Sequence, residues 1–185
     1  MHSVSDQEIL RLIGTKSTEN RGYTLLMNTF QEQLYHLIYR MTNHHADTDD
    51  ILQNTFIKVF RGIKNFEGNS KLSTWLFRIA TNEALTFLNK KKRVSKHSDL
   101  LLQNTISRSI NYESLASDQI IEHLQSALNT LPEKQKLIFT MRYYNEMTYQ
   151  EISDILGTTV GGLKASYHHA VKKIEHHIMN TNIIY

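Results

Sequence analysis

The sequence predicts an all-α protein, with two small helical domains joined by a flexible linker. Three observations carry this. One proline and seven glycines in 185 residues leave few breaks in any helical pattern. Apolar residues return at steps of three and four through most of the chain. Runs of alternating β-branched residues, the mark of strands, are not visible. With 40% hydrophobic residues the chain has enough apolar material for a core.

The first expected helix, "SDQEILRLI", ends at Gly14. The next spans 22–42, where Leu26, Phe30, Leu34, Leu37 and Met41 form one apolar stripe. A third spans 48–63 on Leu52, Phe56, Val59 and Ile63, with Asp47, Thr48 and Asp49 as capping and dipole-complementing groups. "KNFEGNSKLS", 64–73, is a loop by its Gly68, Asn69 and Ser70, flanked by Phe66 and Leu72 as anchors. Ser73 is the expected N-cap of a fourth helix, "TWLFRIATNEALTFLNKKK", whose apolar set is Trp75, Leu76, Ile79, Ala80, Leu85 and Leu88.

Periodicity is lost over 94–118, which is rich in Ser and Asn, and this stretch is the expected linker. The first domain is therefore 5–93 and the second 119–180. The second opens with "QIIEHLQSALNTL", and Pro132 suits the first position of the following helix, "PEKQKLIFTMRYYN". "TYQE", 148–151, fits a capping box. Gly157 fits a left-handed helix stop, and Thr159 a cap for the last helix. There Val160, Leu163, Tyr167, Ala170 and Ile174 face a core, which turns Gly161, Lys164, Ala165, His168 and Lys172 outward.

Cysteine is absent, which excludes a disulfide framework, a thiolate metal site and a cysteine nucleophile. The mean hydropathy of -0.42, with no long uncharged apolar run, argues against membrane insertion. "MHSVSDQEILRLIG" has no basic patch leading into an apolar stretch, so no signal peptide is read and a cytoplasmic location is expected. The net charge of +3 is unevenly spread. Residues 22–93 hold ten basic and six acidic side chains, a net +4, and "NKKKR" at 89–93 is the densest run. Such a run complements a helix C-terminus and equally suits a phosphate backbone.

"TYQEISDILGTTVGGLKASYHHAVKKI" has the lengths of a helix-turn-helix: a short first helix, a turn containing Gly, and a longer second helix. An ordinary helical hairpin has the same spacing. The capping box, the glycine turn and the outward Lys164 and Lys172 favour DNA binding.

At these residues the chain resembles the extracytoplasmic-function (ECF) sigma factors of the sigma-70 superfamily, in order over 5–178. "LP..Q", "TYQEIS.ILG" and "V..LK" look like the family's promoter-distal domain. "DTDDILQNTFIKVF" resembles its core-polymerase-binding helix, and "F.G.S.LSTWLFRIATN" the loop and helix that bind and open the −10 element. The resemblance implies an RNA polymerase sigma factor that directs promoter-specific initiation and assists opening. Its implied partners are core polymerase (the clamp of the largest subunit and the flap of the second-largest), promoter DNA and an anti-sigma factor. It places Asp49, Asp50 and Gln53 on the polymerase. The −10 element falls to Asn69, Ser70, Lys71, Trp75, Asn82, Lys90, Lys91, Lys92 and Arg93. The −35 element falls to Thr159, Lys164, Ser166, His168, Lys172 and Lys173. Relatives often carry arginine where this chain has Ser166, His169 and Val171, an Arg-Asn pair at Thr81-Asn82, and aspartate at Thr86. No promoter sequence is therefore carried over.

Ten histidines include the pairs His44-His45, His168-His169 and His176-His177. Adjacent histidines on a helix diverge by about 100°, and His169 and His176 lie about two turns apart, so no metal site is expected. No cofactor or catalytic residue is expected either, since phosphate-loop, dinucleotide, nucleophile-elbow and zincin patterns do not occur. The competing reading is a free-standing helix-turn-helix regulator whose first domain is a sensor. Such a protein binds its operator without polymerase, usually as a dimer.

Overall fold

A computed structural model of the chain describes residues 5–98 and 116–180, with side chains described over 5–93 and 123–180. Every regular element among the described residues is helical. The chain divides into two compact units, residues 1–91 with 154–157 and residues 92–153 with 158–185.

In the first unit, α1 (Asp6–Gly14) is capped by Ser5, whose hydroxyl oxygen accepts from the Glu8 amide at 3.2 Å. Helix α2 (Glu19–Thr42) starts three residues before the expected 22 and stops where Asn43 turns left-handed. Helix α3 (His45–Gly62) also starts earlier than the sequence suggested. Its cap is His44, whose Nδ1 accepts from the Asp47 amide at 3.3 Å, so Asp47, Thr48 and Asp49 stand inside the helix. Thr48 is buried, and its hydroxyl donates to the His44 carbonyl at 2.9 Å. A buried hydroxyl is kept at low cost by such a bond.

A single 3-10 turn, Ile63–Asn65, leads into the loop before α4 (Leu72–Ser98). Ser73 is not the cap of α4 but lies in its first turn. The Leu72 amide instead donates to Asp6 Oδ2 at 2.8 Å, so a carboxylate from α1 satisfies one orphan donor of α4. At its far end α4 continues to Ser98, through the first five residues of the expected linker. No glycine or proline stops it there, and lysine and arginine are good helix formers. The rest of the expected linker, over 99–115, lies outside the described residues, and α5 opens at Ala116.

The first core joins Ile9 and Ile13, Leu26, Phe30, Leu34 and Leu37, Leu52, Phe56 and Val59, and Leu76 and Ala80, all buried. Burying each large aliphatic side chain contributes about 1.5–3 kcal/mol. On α4, Phe77 and Ala84 are buried, whereas Ile79, Leu85 and Leu88 are half-buried, so the stripe runs round the helix from where it was expected.

The second unit contains α5 (Ala116–Asn129), α6 (Glu133–Phe139), the start of α7 (Tyr149–Leu156) and α8 (Val160–Asn180). Pro132 occupies the cap position of α6 rather than its first turn. The single helix expected over 132–145 ends early, because Thr140–Tyr144 widen into a π-helical turn. That turn lets the Arg142 guanidinium donate to the Met147 carbonyl at 3.0 Å. Ala127, Leu128, Leu131, Phe139, Ala170 and Ile174 form a core between α5, α6 and α8.

Candidate nucleic-acid interface

Helix α7 starts on the expected capping box. The Glu151 amide donates to Thr148 Oγ1 at 3.2 Å, and the Thr148 amide donates back to Glu151 Oε2 at 2.8 Å. Gly157 ends the helix at φ +62°, a conformation other side chains rarely adopt. Two residues later Thr159 Oγ1 accepts from the Gly162 amide at 3.3 Å and opens α8. Thr159 therefore acts in the structure as a cap.

Leu163, Ala170 and Ile174 are buried along α8, with Val160 and Tyr167 half-buried beside them. Gly161, Lys164, Ala165, His168 and Lys172 are all exposed, at helical spacing along one face. Lys173 is exposed one position round. Ser166 is half-buried and two positions round from Lys164, about 200° away, so it does not share this face.

The exposed face has a companion that periodicity did not reveal. Lys164 Nζ lies 5.9 Å from the centre of the Tyr149 ring, and the Arg142 guanidinium carbon lies 5.4 Å from the same centre. Both are within reach of a cation–π attraction. Tyr149 also meets Tyr167 edge-on at 6.2 Å. Burial pushes the Tyr167 phenol up; Tyr149 adds to this and Arg142 opposes it. The ring of Tyr149 thus links two cations that are 22 residues apart in sequence, Arg142 and Lys164. They belong to separate helical turns, so no single-helix pattern joins them.

In the first unit the loop 66–71 is polar and open. Gly68 has φ +74°, Asn69 donates to Glu67 Oε2 at 2.9 Å, and Ser70 donates to the Lys71 carbonyl at 3.3 Å. Its flanks are held by Leu72, fully buried, and by Phe66, whose ring lies 5.3 Å from that of half-buried Trp75. Asn69, Ser70, Lys71 and Trp75 are therefore gathered at one end of α4. Asn82 is exposed but ten residues beyond Leu72, about 15 Å along the helix. Lys90, Lys91, Lys92 and Arg93 lie farther still and are exposed, and Lys91 forms an ion pair with Asp47. The expected −10 residues thus form a strip along α4 rather than one pocket.

Asp49, Asp50 and Gln53 are exposed on α3, opposite buried Ile51, Leu52, Thr55, Phe56 and Val59. Ile57, one turn on from Gln53, is also exposed at 40%. Among the described residues no group of three histidines or carboxylates is placed to hold a metal ion. No helix among them is long and apolar enough to cross a membrane.

Known proteins share this order of parts. Residues 26–94 match Sigma-70 region 2, and residues 121–174 match Sigma-70, region 4. The chain belongs to the sigma-70 family, as an ECF RNA polymerase sigma factor. It is 28% identical over 167 residues to the ECF RNA polymerase sigma factor SigW of Bacillus subtilis, covering 85% of this chain and 89% of SigW. It is 25% identical over 184 residues to the ECF RNA polymerase sigma-E factor of Haemophilus influenzae, covering 95% and 96%. The fold matches the sigma factor RpoE of Bartonella quintana, solved in complex with the anti-sigma factor NepR. That match has a TM-score of 0.71 at 22% identity, over 85% of this chain and 96% of RpoE.

In this sigma factor the region 2 match contains α3, the loop 66–71 and most of α4, whereas the region 4 match contains α7 and the first two-thirds of α8. The reading of a free-standing regulator with a sensor domain is thereby not favoured.

Proposed function

We propose that this sigma factor docks on core polymerase through the exposed edge of α3, opens the −10 element with loop 66–71 and α4, and reads the −35 element with α8. The observation that carries this is the face of α8. Its buried stripe leaves Lys164, His168 and Lys172 aligned with small Gly161 and Ala165, which lets the backbone approach a groove closely. Lys164 stands near the entering end of the helix, where contact with base edges is made, and Lys172 two turns on, where a phosphate is met.

A reader with so few long cations suffices because it does not act alone. Polymerase and the first unit tether it, and tethered contacts act at high effective concentration. On α3, the Asp49 and Asp50 carboxylates and the Gln53 amide suit arginines on a partner. The clamp and flap of polymerase are its surfaces for this chain, and an anti-sigma factor is its regulator. The protein works by binding rather than by catalysis, and in the cytoplasm.

Run-off transcription with purified core polymerase across a library of upstream regions tests this reading. The outcome expected is initiation at a restricted promoter class, only when both proteins are present. Tight operator binding by the chain alone, with no gain from polymerase, would sink it. Asp50→Arg should lower core affinity with the fold intact, because it sets like charges together; unchanged affinity removes α3 from the interface.

A further inference from the structure

The histidine pairs of α8 remain outside this reading, and the structure gathers them. A groove beside the reading face is lined by His169, Lys172, Lys173, His176, His177 and Asn180, with Thr130 from the α5–α6 turn as its other wall. His169, Lys173, His176 and Asn180 recur at steps of four, three and four, so they share one stripe of the helix. No carboxylate is among the described residues that line it. His169, Lys172, Lys173 and His176 are exposed. His177 is half-buried and within 3.3 Å of the Ser126 hydroxyl, whereas the Asn180 amide lies 3.0 Å from His176 Nδ1.

We infer that this groove seats the phosphate backbone of promoter DNA alongside the −35 contact, and that His169 and His176 make its grip depend on pH. The inference rests on α8 being the DNA reader, and it adds a second contact that relies on protonation. Continuity favours DNA as the occupant: Lys172 belongs both to the reading face and to the groove, so a strand that leaves the first enters the second. Imidazole changes charge between about pH 5 and 8, and neutral rings add no counterion-releasing charge. A phosphate in the groove would meet Lys172 and Lys173 as well as the imidazole rings.

Among the residues whose side chains are described, the charged groups of the surrounding elements are few. Glu175 is exposed on α8 itself, His123 is half-buried on α5, and Glu133, Lys134 and Lys136 stand on α6. Lys136 donates to Asn129 Oδ1 at 2.9 Å, next to Thr130, and burial holds its amine below the usual range while Glu133 opposes this. None of these carboxylates lines the groove, so acid adds net positive charge to it. The sign follows: a phosphate raises the proton affinity of a histidine beside it, so the extra grip is present at low pH and is lost as pH rises.

The test uses holoenzyme and a promoter duplex, with salt titrations at about pH 6 and about pH 8. The parent and His169→Gln/His176→Gln are compared, since glutamine keeps hydrogen bonding and cannot take the charge. The parent is expected to bind more tightly at the lower pH, with a salt slope steeper by about one to two. The double variant should lose most of that added steepness and keep its −35 base preference. An equal pH response in parent and variant overturns the groove. So does a change in core-polymerase affinity without a change in DNA salt slope, which would mean that the groove faces protein. If the parent itself shows no −35 preference, the reading of α8 fails and takes the groove with it.

Discussion

The loop before α4 and the turn before α8 are both short, polar and glycine-containing, and each leads into a helix that we propose contacts promoter DNA. They are held in opposite ways. At the turn before α8 the caps and the helix stop are local: Thr148 with Glu151, Gly157, and Thr159 with Gly162 all lie within 15 residues of one another. At α4 the cap is remote, and only the aromatic brace is local. The Leu72 amide is satisfied by Asp6, 66 residues back, and Phe66 leans on Trp75 across the loop. The start of the helix-turn-helix is thus capped by its own neighbouring sequence, whereas the helix that follows loop 66–71 takes a cap from α1. A segment that must follow a strand as it separates is well served by anchors at its ends and few bonds within, the pattern of local motion at low free-energy cost.

Paired truncations of the two anchors should give the largest effects. Leu72 and Leu163 are both fully buried, so Leu72→Ala and Leu163→Ala should each cost about 2–5 kcal/mol in denaturant unfolding. A loss well below this for Leu72→Ala would mean that the loop is not pinned there. The caps should separate the two regions more sharply. Asp6→Ala should cost about 1–2 kcal/mol and slow promoter opening, with core binding retained, and Asp6→Asn should restore most of the loss by accepting the same bond. Opening rates untouched by Asp6→Ala would end the claim that α1 supports the loop. The smallest effect is expected at the local box, where Thr148→Ala should cost about 1 kcal/mol. Amide exchange should quicken in the first turn of α7 and leave the first unit as it was; a change at the loop 66–71 would contradict the comparison.

The same contrast decides how much could be read from the sequence. Thr148, Glu151, Gly157 and Thr159 act over three residues or through their own backbone, and each is legible as a local pattern. The apolar stripes of α2, α3 and α8 were legible for the same reason, since helical spacing alone places Leu26, Phe56 and Leu163 inside. What escaped depends on residues distant in sequence or on unusual chemistry. Ser73 was the natural cap on local grounds, but Asp6 satisfies the helix start and Ser73 is drawn into the first turn. His44 caps α3 with an imidazole nitrogen, a rare choice beside the serines and aspartates that usually mark a helix start. The π-helical turn at Thr140–Tyr144 leaves no mark in apolar spacing, yet it sets Arg142 over Tyr149. Of the candidate interface residues, Lys164, His168 and Lys172 share a face that follows from one stripe, whereas the separation of Asn82 from Asn69 appears only once α4 is laid out.

We propose that the exposed face of α8 reads sequence through Lys164 and grips phosphate through Lys172. The most direct measurement scores a randomised −35 library with holoenzymes carrying the parent chain, Lys164→Ala or Lys172→Ala. Lys164→Ala should cost about 1–3 kcal/mol on preferred promoters and relax preference at one −35 position. Lys172→Ala should weaken binding evenly across sequences and lower the salt slope by about one. If Lys164→Ala instead lowers every promoter by the same factor, with no position relaxed, this helix positions the protein on DNA and does not read it.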